Sequence, residues 1–466
     1  MNHMKGLVIA GTKSGSGKTT LTLGLLAAFS RRGLRAAPFK VGPDFIDPGH
    51  HSAVTRRASI NLDGWMLSRE TNLESFARHA VDADIAVVEG VMGLFDGVDG
   101  RSEAGSTAQM AKWLGLPVLL VVDAASMARS AAALVQGFEG FDRDLGFAGV
   151  VFNHIGSSRH LRVLTDAIEG TVKMPCLGGV IRNEELRMPE RHLGLVTRED
   201  HELSTQNIES LADLVEEGIQ VDRLLKALPN LTMPPAAPRG PSPEERRVKI
   251  GVARDRAFCF YYQDNLEILE GYGAELVSFS PVSDRALPHD LDGIYLGGGY
   301  PELSAEALSA NSGLRKQIFE SSRDGMPIYG ECGGFMFLCR EMVDATGKVF
   351  PMTGCFPFRT LMQSRLTSLG YREITLAGPA LLGHAGIRAR GHEFHYSALE
   401  GPVDKAPLQK VFSVSARAGL KQDDTGYQTR RTLGSYIHLH FGSRPEMAGA
   451  FVENCLTYQK ERKARS

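Results

Sequence analysis

A chain of 466 residues is longer than an ordinary domain of about 100–200 residues and supplies two or three, each able to bury its own core. Hydrophobic residues at 43% and charged residues at 23% are globular values, and a formal net charge of -2 gives no electrostatic basis for binding nucleic acid or a membrane surface, which leaves small molecules as partners. The cysteines, Cys176, Cys259, Cys332, Cys339, Cys355 and Cys455, lack the C-x-x-C spacing of a zinc or redox motif, so a reducing cytoplasm is the expected compartment.

Residues 1–5 run into an apolar stretch, residues 6–10, too short for the core of a signal peptide. No stretch reaches the roughly 18 apolar residues of a membrane span. Residues 6–10 predict a first strand, and short apolar runs follow at 85–88, 117–122 and 149–152 with helical stretches between them. Continuous apolar strands alternating with amphipathic helices predict a parallel α/β sheet covered on both faces.

The first strand leads into Gly11-Thr12-Lys13-Ser14-Gly15-Ser16-Gly17-Lys18-Thr19, with a helix expected from about Lys18. Glycines let successive N–H groups close around phosphate oxygens, Lys18 adds a point charge, and the Thr19 hydroxyl can reach Mg²⁺. Thr12, Ser14, Gly15, Ser16, Gly17, Lys18, Thr19 and Thr20 are therefore assigned to ATP, together with Lys40. Threonine at position 12 and the early first glycine resemble the dethiobiotin synthetase branch of P-loop proteins, in which some members carry a second lysine where Lys13 stands.

Mg²⁺ takes oxygen ligands and needs one or two carboxylates beside phosphate and water. Residues 40–50 offer Lys40, Asp44 and Asp47 on a turn-rich loop after a short strand, and residues 87–97 offer Glu89 and Asp96. Glu89 ends a buried strand at the carboxyl edge of the sheet, where open α/β sheets bind ligands. Thr19, Asp47 and Glu89 are the metal candidates, and Asp44 and Asp96 are candidates for activating a carboxylate substrate.

Around residues 228–243 the composition turns proline-rich and loses periodicity, as a linker would. The expected division is a nucleotide domain over 1–228, a linker over 229–247 and a second α/β domain over 248–466, with strands at 248–253, 291–296 and 327–329 and a helix over 264–271. In that second half Cys332 stands on a strand-to-helix turn, Tyr329-Gly330-Glu331-Cys332-Gly333-Gly334, flanked by small residues that tolerate strained geometry. The following helix N-terminus is expected to lower the thiol pKa, so that a thiolate attacks a carboxamide and expels ammonia. Gly333, with Gly298 and Gly299 of the Gly297-Gly298-Gly299 run, is expected to form the oxyanion and glutamine site. The base lies in Ser435-Tyr436-Ile437-His438-Leu439-His440-Phe441, where strand-like alternation puts His438 and His440 on one face and cannot choose between them. His392 and His395 are three apart rather than four, which excludes a zinc-protease helix and leaves residues 391–396 structural or substrate-facing.

The chain resembles the cobyrinic acid a,c-diamide synthases, amidotransferases of corrinoid (cobalamin) biosynthesis. The resemblance is carried by residues 12–20, 40–48, 89–97, 253–262, 296–302, 331–334, 391–396 and 435–441. It implies a dethiobiotin-synthetase-like ATP domain followed by a class I glutamine amidotransferase domain of flavodoxin-like fold, two doubly wound α/β domains in all. It also implies a homodimer, and it favours His438 as the partner of Cys332 because the family's base follows a Tyr-x-His pattern. His440 stands where many class I amidotransferases carry an orienting glutamate, so a Cys–His dyad, or an orienting group from elsewhere, is expected.

The expected reaction is ATP-driven amidation of the a and c acetate carboxylates of a tetrapyrrole-type macrocycle through an acyl phosphate. Cys332 and His438 hydrolyse glutamine, and because ammonia is largely protonated in water, a route shielded from solvent is expected. Arg254, Arg256, Phe258, Phe260, Tyr261 and Tyr262 are offered either as macrocycle contacts or as core and rim. Nickel-sirohydrochlorin a,c-diamide synthase, hydrogenobyrinic acid a,c-diamide synthase and cobyric acid synthase keep this chemistry and change the substrate. A regulatory P-loop ATPase with an inactive amidotransferase domain is the alternative from another class.

Overall fold

A computed structural model describes residues 4–182, 197–198, 203–231, 247–401, 408–416 and 425–465. The chain divides into two compact units, Met1–Pro238 and Arg239–Ser466. The proline-rich linker expected over 229–247 lies, from 232 to 246, outside the described residues.

In the first unit strands and helices alternate: β1 (Met4–Gly11), α1 (Lys18–Arg31), β2 (Ala36–Val41), α2 (Ile46–Thr55), β3 (Ile60–Leu62), α3 (Arg69–Ala80), β4 (Ile85–Gly93), α4 (Thr107–Leu114), β5 (Val118–Asp123), α5 (Ser130–Phe141), β6 (Phe147–Ile155), α6 (Ser158–Ile168) and β7 (Cys176–Ile181), then α7 (Thr205–Gly218), α8 (Val221–Ala227) and β8 (Asn230–Leu231). The sheet order is β3-β2-β4-β1-β5-β6-β7. Its central strands are apolar without interruption because both faces are covered. Val8, Val88 and Leu120 enter one core, with Phe76, Met110 and Val135 of the helices. Their neighbours Leu7, Val87 and Leu119 enter the other, with Leu25, Phe29 and Leu211. Asn230 and Leu231, placed in the linker by the sequence, instead pair antiparallel with Lys5 and Met4 of β1.

The second unit comprises β9 (Val248–Ala253), α9 (Gln263–Gly271), β10 (Ala274–Phe279), β11 (Gly293–Leu296), α10 (Ala305–Ala310), α11 (Ser312–Asp324), β12 (Ile328–Glu331), α12 (Gly333–Leu338), β13 (Cys339–Val343), β14 (Val349–Pro351), β15 (Phe356–Met362), β16 (Ser368–Leu376), β17 (Arg388–His395), β18 (Ser397–Glu400), β19 (Gln409–Ala416), β20 (Thr425–Thr429), β21 (Thr432–Ser435), β22 (His438–Leu439) and α13 (Glu446–Arg465). Strands β10-β9-β11-β12-β21 run parallel, in the flavodoxin order of a doubly wound sheet. The same sheet continues antiparallel through β20-β19-β16-β17-β22, and β14-β13-β15-β18 form a separate small sheet. The antiparallel extension folds His392 of β17 into register with His438 of β22 and thereby builds the thiol site.

Candidate active sites

Between β1 and α1 the chain passes through Gly15 at φ 73° and Gly17 at φ 88°, left-handed conformations that L side chains avoid. A Cβ on Gly17 would stand 1.9 Å from Asn153 Nδ2, and that amide donates to the Ser16 carbonyl at 2.9 Å. Leu21 is the residue that donates back to Gly17 O, at 3.1 Å, so the opening N–H groups of α1 point out of its N-terminus. Lys18 folds over this opening and donates to Met92 O at 2.6 Å. Burial, then the charge of Lys40, hold its pKa below the usual lysine value.

Lys40 and Glu89 are direct neighbours across β2 and β4, so their side chains leave the sheet on one face. Lys40 Nζ donates to Asp47 Oδ2 at 2.5 Å and to Glu89 Oε1 at 2.9 Å, with Asp44 Oδ2 at 3.7 Å. Thr19 Oγ1 donates to the same Glu89 oxygen at 2.7 Å and lies 3.3 Å from Asp47 Oδ2. His51 Nε2 takes the other Glu89 oxygen at 2.7 Å, and its Nδ1 is 3.1 Å from Ser59 Oγ. Against a large opposing effect of burial, Lys40 and His51 hold Glu89 well below the carboxylate range. Asp47 moves the other way: burial, Asp44 and Glu89 push it well above, because one lysine does not neutralise all of the acids around it. Lys40 remains charged, its pKa raised by Asp47, Glu89 and Asp44 in spite of full burial.

In the second unit Cys332 occupies φ 47°, ψ -105° between β12 and α12, a strained conformation for a residue with a Cβ. Its N–H donates to Ser435 O at 2.7 Å, continuing the β12–β21 ladder, and the thiol lies 3.8 Å from Phe394 O. Three residues beyond Ser435 the chain reaches His438, whose Nδ1 is 3.7 Å from Glu331 Oε2. The His438 ring stacks on His392 with centroids 4.9 Å apart, and it lies so close to Gly298 that a Cβ there would stand 2.3 Å from His438 Cε1. A Cβ on Gly333 would stand 3.1 Å from Gly299 N, so the glycine run lies against both the imidazole and the turn after the thiol.

The nucleotide-binding half, residues 7–196, matches the family model of the CobQ/CobB/MinD/ParA nucleotide binding domain, and residues 249–446 match that of the CobB/CobQ-like glutamine amidotransferase domain. A cobyrinate a,c-diamide synthase of Syntrophotalea carbinolica is 48% identical, covering 96% of this chain and 98% of its own. The synthase of the same name from Priestia megaterium is 42% identical over 98% of each chain. The chain belongs to the cobyrinate a,c-diamide synthase family. Among solved structures a glutamine amidotransferase covers 44% of this chain and 98% of its own at 16% identity and a TM-score of 0.33. Among the described residues no helix is long and apolar enough to cross a membrane.

The residues that the sequence assigned to each chemistry fall into these two places, with six corrections. The Thr12 N–H is not offered to phosphate, because it donates to Val121 O at 3.1 Å in the sheet ladder. Asp47 sits in the first turn of α2 rather than on a loop: Asp44 Oδ1 accepts from the N–H of Ile46 and Asp47, and Pro48 is tolerated so early in a helix. Asp96 Oδ2 closes its own turn by accepting from Gly93 N–H at 2.9 Å. Gly298 is no oxyanion donor, since its N–H is held by Phe260 O at 3.2 Å; it is the floor under His438. The thiol pKa is raised, not lowered: α12 is six residues long, and burial followed by the Glu302 charge outweighs the Gly333 N–H. Finally, β22 spans His438 and Leu439 alone, so His440 leaves the strand, and its ring packs on Tyr262 at 4.4 Å.

Phe258, Phe260 and Tyr262 are buried, and Tyr261 is locked by its hydroxyl between Ala253 O and Gly297 N–H, so this segment underlies the glycine run as core. His51, Asn153, Glu331 and His392 carry much of the site geometry and were not singled out as site residues. His51 had a signal in its place directly after the Lys40–His50 segment, and Glu331 in its position directly before the thiol. Asn153 is brought in by the topology alone, and His392, on the 391–396 segment read as structural or substrate-facing, is placed beside His438 by the β17–β22 register.

Proposed function

We propose that the protein amidates the a and c acetate carboxylates of cobyrinic acid, using ATP to activate each carboxylate and glutamine as the nitrogen source. The observation that carries this reading is that one chain of this family holds both a P-loop opening onto buried carboxylates and a strained cysteine whose following turn packs on the same glycine run as a histidine ring. The glutamine site works through Cys332 and His438. His438 takes the thiol proton as sulfur attacks the glutamine carboxamide, and returns it to the departing ammonia. Gly333 and Gly299 N–H groups are the donors for the oxyanion. Because burial keeps the resting sulfur protonated, the thiolate forms only as the proton moves to imidazole.

At the other site the N–H groups of residues 14–20 cradle the phosphates, and Lys18 turns from Met92 O to the phosphate oxygens. Thr19, Asp47 and Glu89 would hold Mg²⁺. Their donors are all oxygens within reach of one another, and the under-neutralised Asp47 fits a second cation there. When bound, Mg²⁺ supplies charge neutralisation for phosphoryl transfer. Lys40 fixes the two acids in place, and Asp44 remains the candidate for activating the acceptor carboxylate. A cytoplasmic homodimer belongs to the same proposal.

The test offers cobyrinic, hydrogenobyrinic and nickel-bound macrocycles with ATP and glutamine and counts added amides by mass. Two amides on cobyrinic acid are expected, and an unchanged mass for every tetrapyrrole refutes the reading. Cys332→Ala is expected to abolish glutamine-dependent synthesis and spare synthesis from ammonium salts.

A further inference from the structure

Glu331 stands directly before the candidate nucleophile. It is 1% exposed, and its carboxylate is held from three directions. Tyr329 of its own strand donates to Oε1 at 2.7 Å, Leu439 N–H of β22 reaches the same oxygen at 3.2 Å, and Tyr295 of β11 donates to Oε2 at 3.0 Å. A buried carboxylate fixed by neighbours from three strands is a costly group that a packing role does not require, since an apolar side chain would fill the space. All three lie on the sheet that leads into the thiol turn, and Leu439 directly follows His438 in sequence. His438 Nδ1 lies 3.7 Å from Oε2. Position 440, where a strand-borne carboxylate could have faced the imidazole, is a histidine turned to Tyr262 and bonded through Nδ1 to Gly442 N–H at 3.1 Å.

We propose that Glu331 is the positioning residue of His438: its carboxylate fixes the ring with Nδ1 toward Oε2 and leaves Nε2 to accept the Cys332 proton. The inference rests on the glutamine-hydrolysing reading above. In the step itself the S–H bond breaks, its electron pair stays on sulfur and attacks the carboxamide carbon, and the proton forms the N–H bond at Nε2. The imidazolium so formed stands beside a carboxylate that keeps its own charge and takes no proton. Nucleophile, base and carboxylate thus come from two consecutive residues on one strand end and one histidine. The other ionisable groups facing this assembly are Tyr261, Tyr295 and Tyr329 around Glu331, His392 and His440 around His438, and Glu302 and Glu393 toward Cys332. Burial and the neighbouring histidines hold His392 well below the usual histidine value, so it stays neutral against the imidazolium.

The experiment measures glutamine hydrolysis and ammonium-driven synthesis on the full-length protein and on Glu331→Gln, with histidine ¹⁵N spectra of the unmutated protein. Glu331→Gln is expected to lower kcat for glutamine about 100-fold or more, to change KM less than about threefold, and to leave ammonium-driven synthesis in place. In the unmutated protein His438, assigned with His438→Ala, is expected as the Nδ1–H tautomer. Glutamine turnover by Glu331→Gln within about threefold of the parent, or an Nε2–H tautomer for His438, overturns the proposal. If Glu331→Gln does not fold, the tautomer decides. If the unmutated protein hydrolyses no glutamine, the functional reading fails, and an Nδ1–H tautomer would still uphold the placement of Glu331.

Discussion

Glu89→Gln is the perturbation whose cost can be worked most directly from the geometry. The side chain is fully buried and accepts from Thr19, Lys40 and His51. Glutamine keeps the shape and an oxygen for Thr19 and Lys40, while its amide can donate to His51, so the hydrogen bonds survive and the charge is what disappears. Across the 2.9 Å between Lys40 and Glu89 the Coulomb attraction is about 6 kcal/mol at an effective dielectric of about 20. Glutamine also escapes the desolvation of a buried carboxylate, and Lys40 keeps Asp47 at 2.5 Å, which together offset about half. The net loss is about 3 kcal/mol, or about 6–12 °C in the melting of the first unit. Calorimetry or protease susceptibility of the first unit reads it without mixing in the second. In activity, ammonium-driven synthesis should fall at least about 100-fold with a higher Mg²⁺ requirement, while glutamine hydrolysis stays at the parent level. A melting change within about 1 °C would refute the electrostatic account, and unchanged synthesis at unchanged Mg²⁺ demand would remove Glu89 from the metal site.

Alkylation of Cys332 by iodoacetamide, followed by peptide mass spectrometry, should be slow at neutral pH and rise about tenfold per unit between about pH 7 and 9, since burial favours the thiol; a flat rate there would mean a thiolate already formed. Asp47 has a raised folded pKa, so the stability it contributes is fully present below the unfolded value of about 3.9 and is lost as pH rises through the folded value. Mg-nucleotide binding needs the carboxylate and should therefore strengthen over that same rise, with proton release visible by calorimetry in buffers of different ionisation heat. Affinity that weakens with rising pH would exclude Asp47 as a ligand. Gly298→Ala puts a Cβ 2.3 Å from His438 Cε1, and glutamine hydrolysis should drop about 100-fold with ammonium-driven synthesis retained. Glutamine turnover within about threefold of the parent would show that the imidazole does not need that floor.

The parallel half of each sheet was legible because strands buried on both faces leave continuous apolar runs such as residues 117–122 and 248–253. The antiparallel part of the second sheet was not, since strands like β16 alternate instead of forming a continuous apolar run, and a turn signal such as Gly378-Pro379 does not say which strands pair. That is where His392 comes from: its neighbour in space is His438, 46 positions along the chain, and only the β17–β22 register shows it. Lys40, Asp47 and Glu89 were named by residue type near a phosphate loop, and the ladder is what brings two of them together, because Lys40 and Glu89 are matched positions on adjacent strands. The same reasoning erred on the thiol. It credited a helix terminus with lowering the pKa, when a helix of six residues inside a closed core has less influence than burial does.

The two sites resolve the same difficulty, charge in a place without water, in opposite ways. At the phosphate loop, charge is present at rest: Lys40 and Glu89 are ionised under full burial because each is the other's counter-ion, and Thr19 and His51 saturate what remains. Such a site is ready for a ligand that brings both signs, phosphate for Lys18 and a cation for Asp47. At the elbow the sulfur is neutral at rest, and the nearest fixed charges, Glu302, Glu393 and Glu331, all oppose a thiolate. A thiolate standing free beside those acids would be disfavoured, whereas a proton moved to His438 creates a positive ring 3.7 Å from Glu331 at the moment the sulfur turns negative. The acids that suppress the thiolate alone therefore favour the ion pair, which ties sulfur activation to the imidazole and keeps the thiol quiet in its absence.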